Sequence, residues 1–268
     1  MSLSLLDATP RQGAQWVSRA FALFLKRPFA FSALFLAFLL GVVVLLALPY
    51  LGGLIVLAAL PLLTLGFMIA TRSAITDGPV HAGQLLAPLL PGAPAPERRA
   101  MLILCAAFML ATGALMLLSD QIDGGTFERL QILLANARTD TSNREIDTLL
   151  GDPRLLYGTL LRFGGSALLS VPFWHAPALV WWQGQGVGQA LFSSTLACWR
   201  NRGAMLVYGM AWAVTVTAFF GVAMALFALI GAPELVGLAA VPAVLMFSTA
   251  FYVSLYFTYI ESFDVTLS

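Results

Sequence analysis

The chain alternates long apolar runs with short polar breaks. Residues 29–48, 52–71, 100–118, 155–182, 205–230 and 235–260 carry one charged residue between them, Arg162. A helix needs about 20 mostly apolar residues to cross a hydrocarbon core about 30 Å thick, so each run predicts a membrane span. Only Pro49-Tyr50-Leu51 separates the first two runs, and Gly231-Ala232-Pro233-Glu234 separates the last two. Both pairs are therefore expected as antiparallel neighbours. The pattern predicts an all-α, polytopic membrane protein with six transmembrane helices in a single integral membrane domain, 1–268.

Other stretches change period. Over 11–27, Arg11, Gln12, Gln15, Ser18, Arg19 and Lys26 fall on one helical arc, and Trp16, Val17, Ala20, Phe21, Leu23 and Phe24 on the other. A basic polar face opposite an aromatic apolar face predicts a helix lying in the headgroup plane. Residues 189–201 read as a second inner-face amphipathic helix, with Gln189, Ser193 and Arg200 toward one side. Between the third and fourth spans lies a polar outer loop, 119–154. In it, 126–137 has a helical apolar face, and Ser142-Asn143-Arg144-Glu145 fits a capping box opening another short helix. Residues 72–99, with Pro79, Pro88, Pro91, Pro94 and Pro96, are expected to be largely irregular.

Composition agrees with the pattern. The chain is 60% hydrophobic and 10% charged, with mean hydropathy +0.88; a soluble domain carries about 25% charged residues. The net charge of +1 hides a sorted distribution. Arg11, Arg19, Lys26, Arg27, Arg72, Arg98, Arg99, Arg200 and Arg202 fall on one side of the six spans, where acidic residues are fewer. The other side holds Arg129, Arg138, Arg144 and Arg154 among eight carboxylates. Positive charge marks the cytoplasmic side, so both termini are expected to be cytoplasmic. The first twelve residues lack the basic start and apolar core of a cleavable signal.

Candidate chemistry concentrates in the fourth run. Arg162, Trp174 and His175 form a candidate intramembrane polar site, with Pro172 and Pro177 flanking the histidine. Prolines free backbone carbonyls and bend a helix, and transporters build midplane sites that way. The plainer readings are an arginine that reaches outward to the interface and a neutral buried histidine bonded to a freed carbonyl. Arg19, Lys26, Arg27, Arg200 and Arg202 are the candidate lipid headgroup contacts. Gly184-x-Gly186-x-Gly188 reads as a hinge, and Gly209, Ala213, Thr217, Gly221 and Ala225 form a small-residue ridge suited to close helix approach. Cys105 and Cys198 are expected to be free and buried. No residue set supports a metal site, a cofactor or a catalytic centre, so the chain is expected not to be an enzyme.

Trp16…Lys26-Arg27-Pro28 and Gly188-Gln189-Ala190-Leu191-Phe192-Ser193 through Trp199-Arg200-Asn201 repeat one pattern: surface helix, basic residues, then a span hairpin. On these residues the chain resembles a family of bacterial six-span inner-membrane proteins, and more distantly the membrane domain of some glycerophosphodiester phosphodiesterases. The resemblance covers nearly the whole chain and implies a bacterial inner (cytoplasmic) membrane and a bundle with membrane-surface helices. It carries no catalytic residue, because the soluble phosphodiesterase domain is absent. The function expected is that of a non-catalytic accessory or scaffold protein binding lipid, with a solute or lipid transporter using the bent fourth span as the alternative. The expected partners are membrane lipids and another inner-membrane protein, with no role for nucleic acid.

Overall fold

The computed structural model describes residues 4–49, 51–136, 140–232 and 235–264. The described chain is helical throughout: α1 (Pro10–Lys26), α2 (Pro28–Leu46), α3 (Gly52–Ile75), a 3-10 helix (Ala82–Leu89), α4 (Ala95–Asp123), α5 (Thr126–Asn136), α6 (Asp140–Leu150), α7 (Pro153–Phe173), α8 (Ala176–Gln183), α9 (Val187–Arg200), α10 (Arg202–Leu229) and α11 (Val236–Ser262). Proline opens α1, α2 and α7, where its missing N–H costs nothing and its φ suits the helix. Gly124 ends α4 at φ +63°, a left-handed cap that glycine adopts without strain.

Five helices, α2, α3, α4, α10 and α11, are long and apolar enough to cross a membrane. Much of their surface faces outward. The most apolar stretches of α2 and α10 bury only 17% and 11% of their residues inside the molecule, leaving Leu40, Val43, Val214 and Leu229 more than half exposed. Contiguous apolar surface on this scale needs lipid around it. α7, expected to lie in the fourth span, is about 31 Å long at 1.5 Å per residue but falls outside these five. It runs antiparallel along α4, and Ser119 near the end of α4 donates to the carbonyl of Gly158 near the start of α7 at 2.8 Å.

α11 is the hub of the bundle, packed on α1, α2, α3 and α10. Its aromatic residues knit these elements together: Tyr252 stacks on Phe67 at 5.1 Å, and Phe251 meets Trp212 at 5.8 Å. The two ends of the described chain meet at one end of the bundle, here called the terminal end. There Leu5 pairs antiparallel with Phe263, and Leu6 N–H donates to the Ser262 carbonyl at 3.0 Å.

Several expectations need correction. The run 155–182 is not one helix. It breaks at Trp174-His175, and Ala176–Val180 of α8 is buried among α3, α4 and α9. Pro172 and Pro177 explain the break, because neither supplies the N–H that the carbonyls of Leu168 and Phe173 need for a helix to continue. α1 is amphipathic, but its apolar face packs on α10 and α11 rather than on lipid. Gly13 permits this approach: a Cβ there would lie 2.1 Å from the Ala204 carbonyl oxygen. The region 72–99 is more ordered than expected, since α3 runs past Arg72, a 3-10 helix follows and α4 starts at Ala95. α6 begins at Asp140, ahead of the expected cap; the side chains of Ser142, Asn143 and Arg144 lie outside the described residues. The repeat of surface helix and hairpin recurs in element order only, because α1 packs on α10 and α11 while α9 packs on α7 and α8.

Candidate functional site

The break between α7 and α8 is closed by side chains from α9 and α11. Ser194 of α9 donates to the Val171 carbonyl at 2.9 Å and accepts from the His175 backbone N–H at 3.0 Å. One hydroxyl thus satisfies a donor and an acceptor that the broken helix leaves over. Replacing Ser194 with alanine strands the buried His175 N–H, while the Val171 carbonyl keeps the Trp174 N–H at 3.4 Å, at a cost of about 2 kcal/mol. A denaturant titration in mixed micelles measures this directly. An unchanged midpoint would mean that packing around α8 alone holds the break.

His175 is fully buried. Its Nε2 lies 3.3 Å from Thr258 Oγ1, and Trp174 Nε1 donates to the same oxygen at 3.2 Å. The Thr258 hydroxyl spends its own proton on the Leu255 carbonyl at 2.7 Å. Satisfying the network therefore puts the imidazole proton on Nε2 and leaves Nδ1 facing Cys198 Sγ at 3.9 Å. The ring is walled by Tyr259 and Phe263. The histidine's partner is thus a threonine hydroxyl, and the freed carbonyl of Val171 goes to Ser194. Cys105 and Cys198 are free and buried; burial pushes the Cys198 thiol up to about 12, so it stays protonated and unreactive at neutral pH.

Arg162 sits elsewhere. It is about 20 Å from His175 along the helix at 1.5 Å per residue, at the far end of the bundle. There it forms an ion pair with Asp120, approaches Asp123 Oδ2 at 3.5 Å, donates to Ser119 Oγ at 3.2 Å and lies 4.1 Å over the Phe127 ring. Structure therefore joins Trp174 and His175 on Thr258 and separates Arg162 from both. Thr258 and Ser194 were not among the candidates in the sequence. The available signal was the run of hydroxyls in the last span, where Ser254 and Thr258 are one helical turn apart and Ser254 Oγ meets Tyr208 Oη at 2.7 Å.

Most of the candidate headgroup residues at the terminal end have partners within the protein. Arg19 forms an ion pair with Glu261 and lies 4.4 Å over Phe257; Trp16 Nε1 donates to the same carboxylate at 2.7 Å. Arg27 pairs with Asp77 at 2.9 Å and donates to the Gly78 carbonyl. Arg200 Nη2 meets Asp7 Oδ2 at 2.7 Å, and that guanidinium holds the Asp7 carboxyl below its ordinary range. Lys26 and Arg202 are exposed and form no ion pair with the described residues. Arg202 lies 5.5 Å over the exposed Trp199 ring. The glycine run between α8 and α9 acts through caps: Gly184 ends α8 at φ +62°, and Gly186 begins α9.

Beside the break lies a cleft of about 1150 Å³. α7 and α10 are not packed on one another. Between them Val171 of α7 and Trp174 at the break face Tyr208 and Gly209 of α10, with Cys198 of α9 and Phe251 of α11 completing the walls. His175 is not on its lining. Among the described residues no group of His, Cys, Asp and Glu side chains could hold a metal ion.

The helical bundle and its outward apolar faces define a polytopic α-helical membrane protein. Over 264 residues the chain is 30% identical to a protein of Burkholderia thailandensis described as a probable inner membrane protein, an alignment covering 98% of this chain and 95% of that one. The chain belongs to the family of that inner membrane protein. No family model and no solved structure matches it.

Proposed function

We propose that the protein is a non-catalytic accessory protein of the bacterial inner membrane that binds anionic lipid at its terminal end, with both termini in the cytoplasm. One observation carries the reading: basic residues gather where the chain ends meet, flanked by α1 and α9, while the opposite loop is acidic. Anionic lipids of the inner leaflet attract such a surface by about 1 kcal/mol per cation near the membrane. Among the five candidate headgroup residues, the internal ion pairs of Arg19, Arg27 and Arg200 leave Lys26 and Arg202 as the cations whose charge is least compensated. The distant resemblance to the membrane domain of glycerophosphodiester phosphodiesterases accords with a lipid-facing role and brings no catalytic residue. In a scaffold role, a second inner-membrane protein would meet this same face.

The test is extraction in native lipid without detergent, followed by mass spectrometry of the lipid that stays bound. Anionic lipid is expected above its bulk share, and the double variant Lys26→Gln/Arg202→Gln should lose the enrichment while His175→Ala keeps it. Bulk composition around the wild-type protein would refute the reading. A transporter is the second reading, favoured by the cleft beside the break in α7. Reconstituted flux that persists unchanged in Trp174→Ala, which alters the cleft wall, would remove its support.

A further inference from the structure

We infer that the cleft between α7 and α10 is a binding site for one anionic phospholipid of the leaflet at the terminal end, its acyl chain lying between the two helices and its phosphate at Arg202. The inference deepens the accessory reading and rests on it for the sidedness of the leaflet.

The shape of the cleft suits a chain. It is open between α7 and α10, floored by α9 and backed by α11. Along α10 its lining extends from Arg202 to Val216, about 21 Å of helix at 1.5 Å per residue. One leaflet of hydrocarbon is about 15 Å deep, half of a core of about 30 Å. The cleft therefore spans the depth of one acyl chain and begins where a headgroup would lie. Its walls are mainly apolar: Trp174, Met205, Leu206, Phe247 and Phe251 line it. The hydroxyls of Ser170 and Thr195 on that lining donate to carbonyls of their own helices at 2.7 and 2.8 Å, so they need nothing from an occupant.

Charge selects the headgroup. Arg202 is the one charged residue on the lining, and no carboxylate accompanies it. Its guanidinium stacks over Trp199, an exposed indole of the kind that settles at the membrane interface. A fixed cation with free N–H donors, at the end of an apolar slot, matches a phosphate attached to a chain. A partner's transmembrane helix would fill the apolar part but leave that cation without an anion.

The test uses the full chain in phosphatidylcholine nanodiscs doped with phosphatidylglycerol bearing a photoactivatable acyl chain, with a matching phosphatidylcholine probe as control. The expected crosslinks map to the stretches 167–174 and 205–216, and phosphatidylglycerol labels more than the control. Gly209→Leu places a side chain in the cleft and should lower this labelling about tenfold; a Cβ at Gly209 meets nothing within 4 Å, and an unfolding midpoint matching wild type is the control that the variant is folded. Arg202→Gln should equalise the two probes in the cleft. Labels scattered over all lipid-facing helices and indifferent to Gly209→Leu would overturn the site. If anionic lipid were still enriched in native extracts, the accessory reading would survive that result; loss of both would sink the two together. Equal labelling by both probes in the wild-type cleft overturns the headgroup assignment, and a protein–protein crosslink through α10 in place of lipid overturns the occupant.

Discussion

Gly13→Leu should detach α1 from the bundle and lower the stability of the protein by about 3 kcal/mol or more, at the upper end of what overpacking costs. The site leaves no room for adjustment. Even the first atom of the side chain would lie 2.1 Å from the Ala204 carbonyl oxygen and 2.9 Å from the Tyr208 backbone nitrogen. These are backbone atoms of α10, so no rotamer change relieves the overlap. Separation of the helices would also disturb Trp16, which is fully buried against Tyr208 and donates to Glu261, and Phe21, which packs on Trp212 at 5.4 Å. The measurement is thermal unfolding in nanodiscs together with limited proteolysis at the α1–α2 junction around Arg27. A variant with wild-type unfolding and protection would show that α1 is held by its polar contacts alone.

Arg162→Ala is the second large effect, expected at about 3 kcal/mol. The arginine approaches the Asp123 carboxylate, whose side chain is completely buried where α4 meets α7. Asp123 Oδ1 also accepts the Gly125 N–H at 2.7 Å, and Gly158 leaves space for the carboxylate beside α7. Removing the arginine leaves a buried anion with one backbone donor, and the loss of its stack on Phe127 loosens α5 as well. The double variant Arg162→Ala/Asp123→Asn should recover much of the stability, since the amide carries no charge to neutralise. Equal destabilisation of the single and double variants would point to lost packing of the arginine rather than to a stranded charge.

How far the fold was legible varied with what each residue meets. The span hairpins follow from run length, and Gly52, packed against Leu45 of the preceding helix, closes the first of them as the short gap requires. The amphipathic period of 11–27 showed which residues share a face; it held nothing about whether lipid or α10 covers that face. Ala176–Trp182 reads as a continuing membrane run because a residue buried in protein and one facing lipid have the same composition. The ligands of Arg162 were equally hidden. Asp120 and Asp123 lie about 40 positions earlier and look like ordinary loop charges until α4 is seen to extend to Asp123. The pairing of His175 with Thr258 is a contact between distant parts of the chain, and no local pattern carries it.

The docking of α1 also bears on the order in which the molecule is made. Its partners Tyr208, Trp212, Phe247 and Glu261 belong to α10 and α11, which leave the ribosome long after it. At about 5–20 residues per second, α1 waits roughly 10–40 s for them. Through that interval its aromatic face has the membrane surface as its natural resting place, which suits an amphipathic helix with a basic polar side. Arrival of α10 and α11 then lifts that face off the lipid and onto protein. The bridge between Leu5 and Phe263 forms only once α11 has been made, so α1 exchanges a lipid neighbour for a protein one late in assembly.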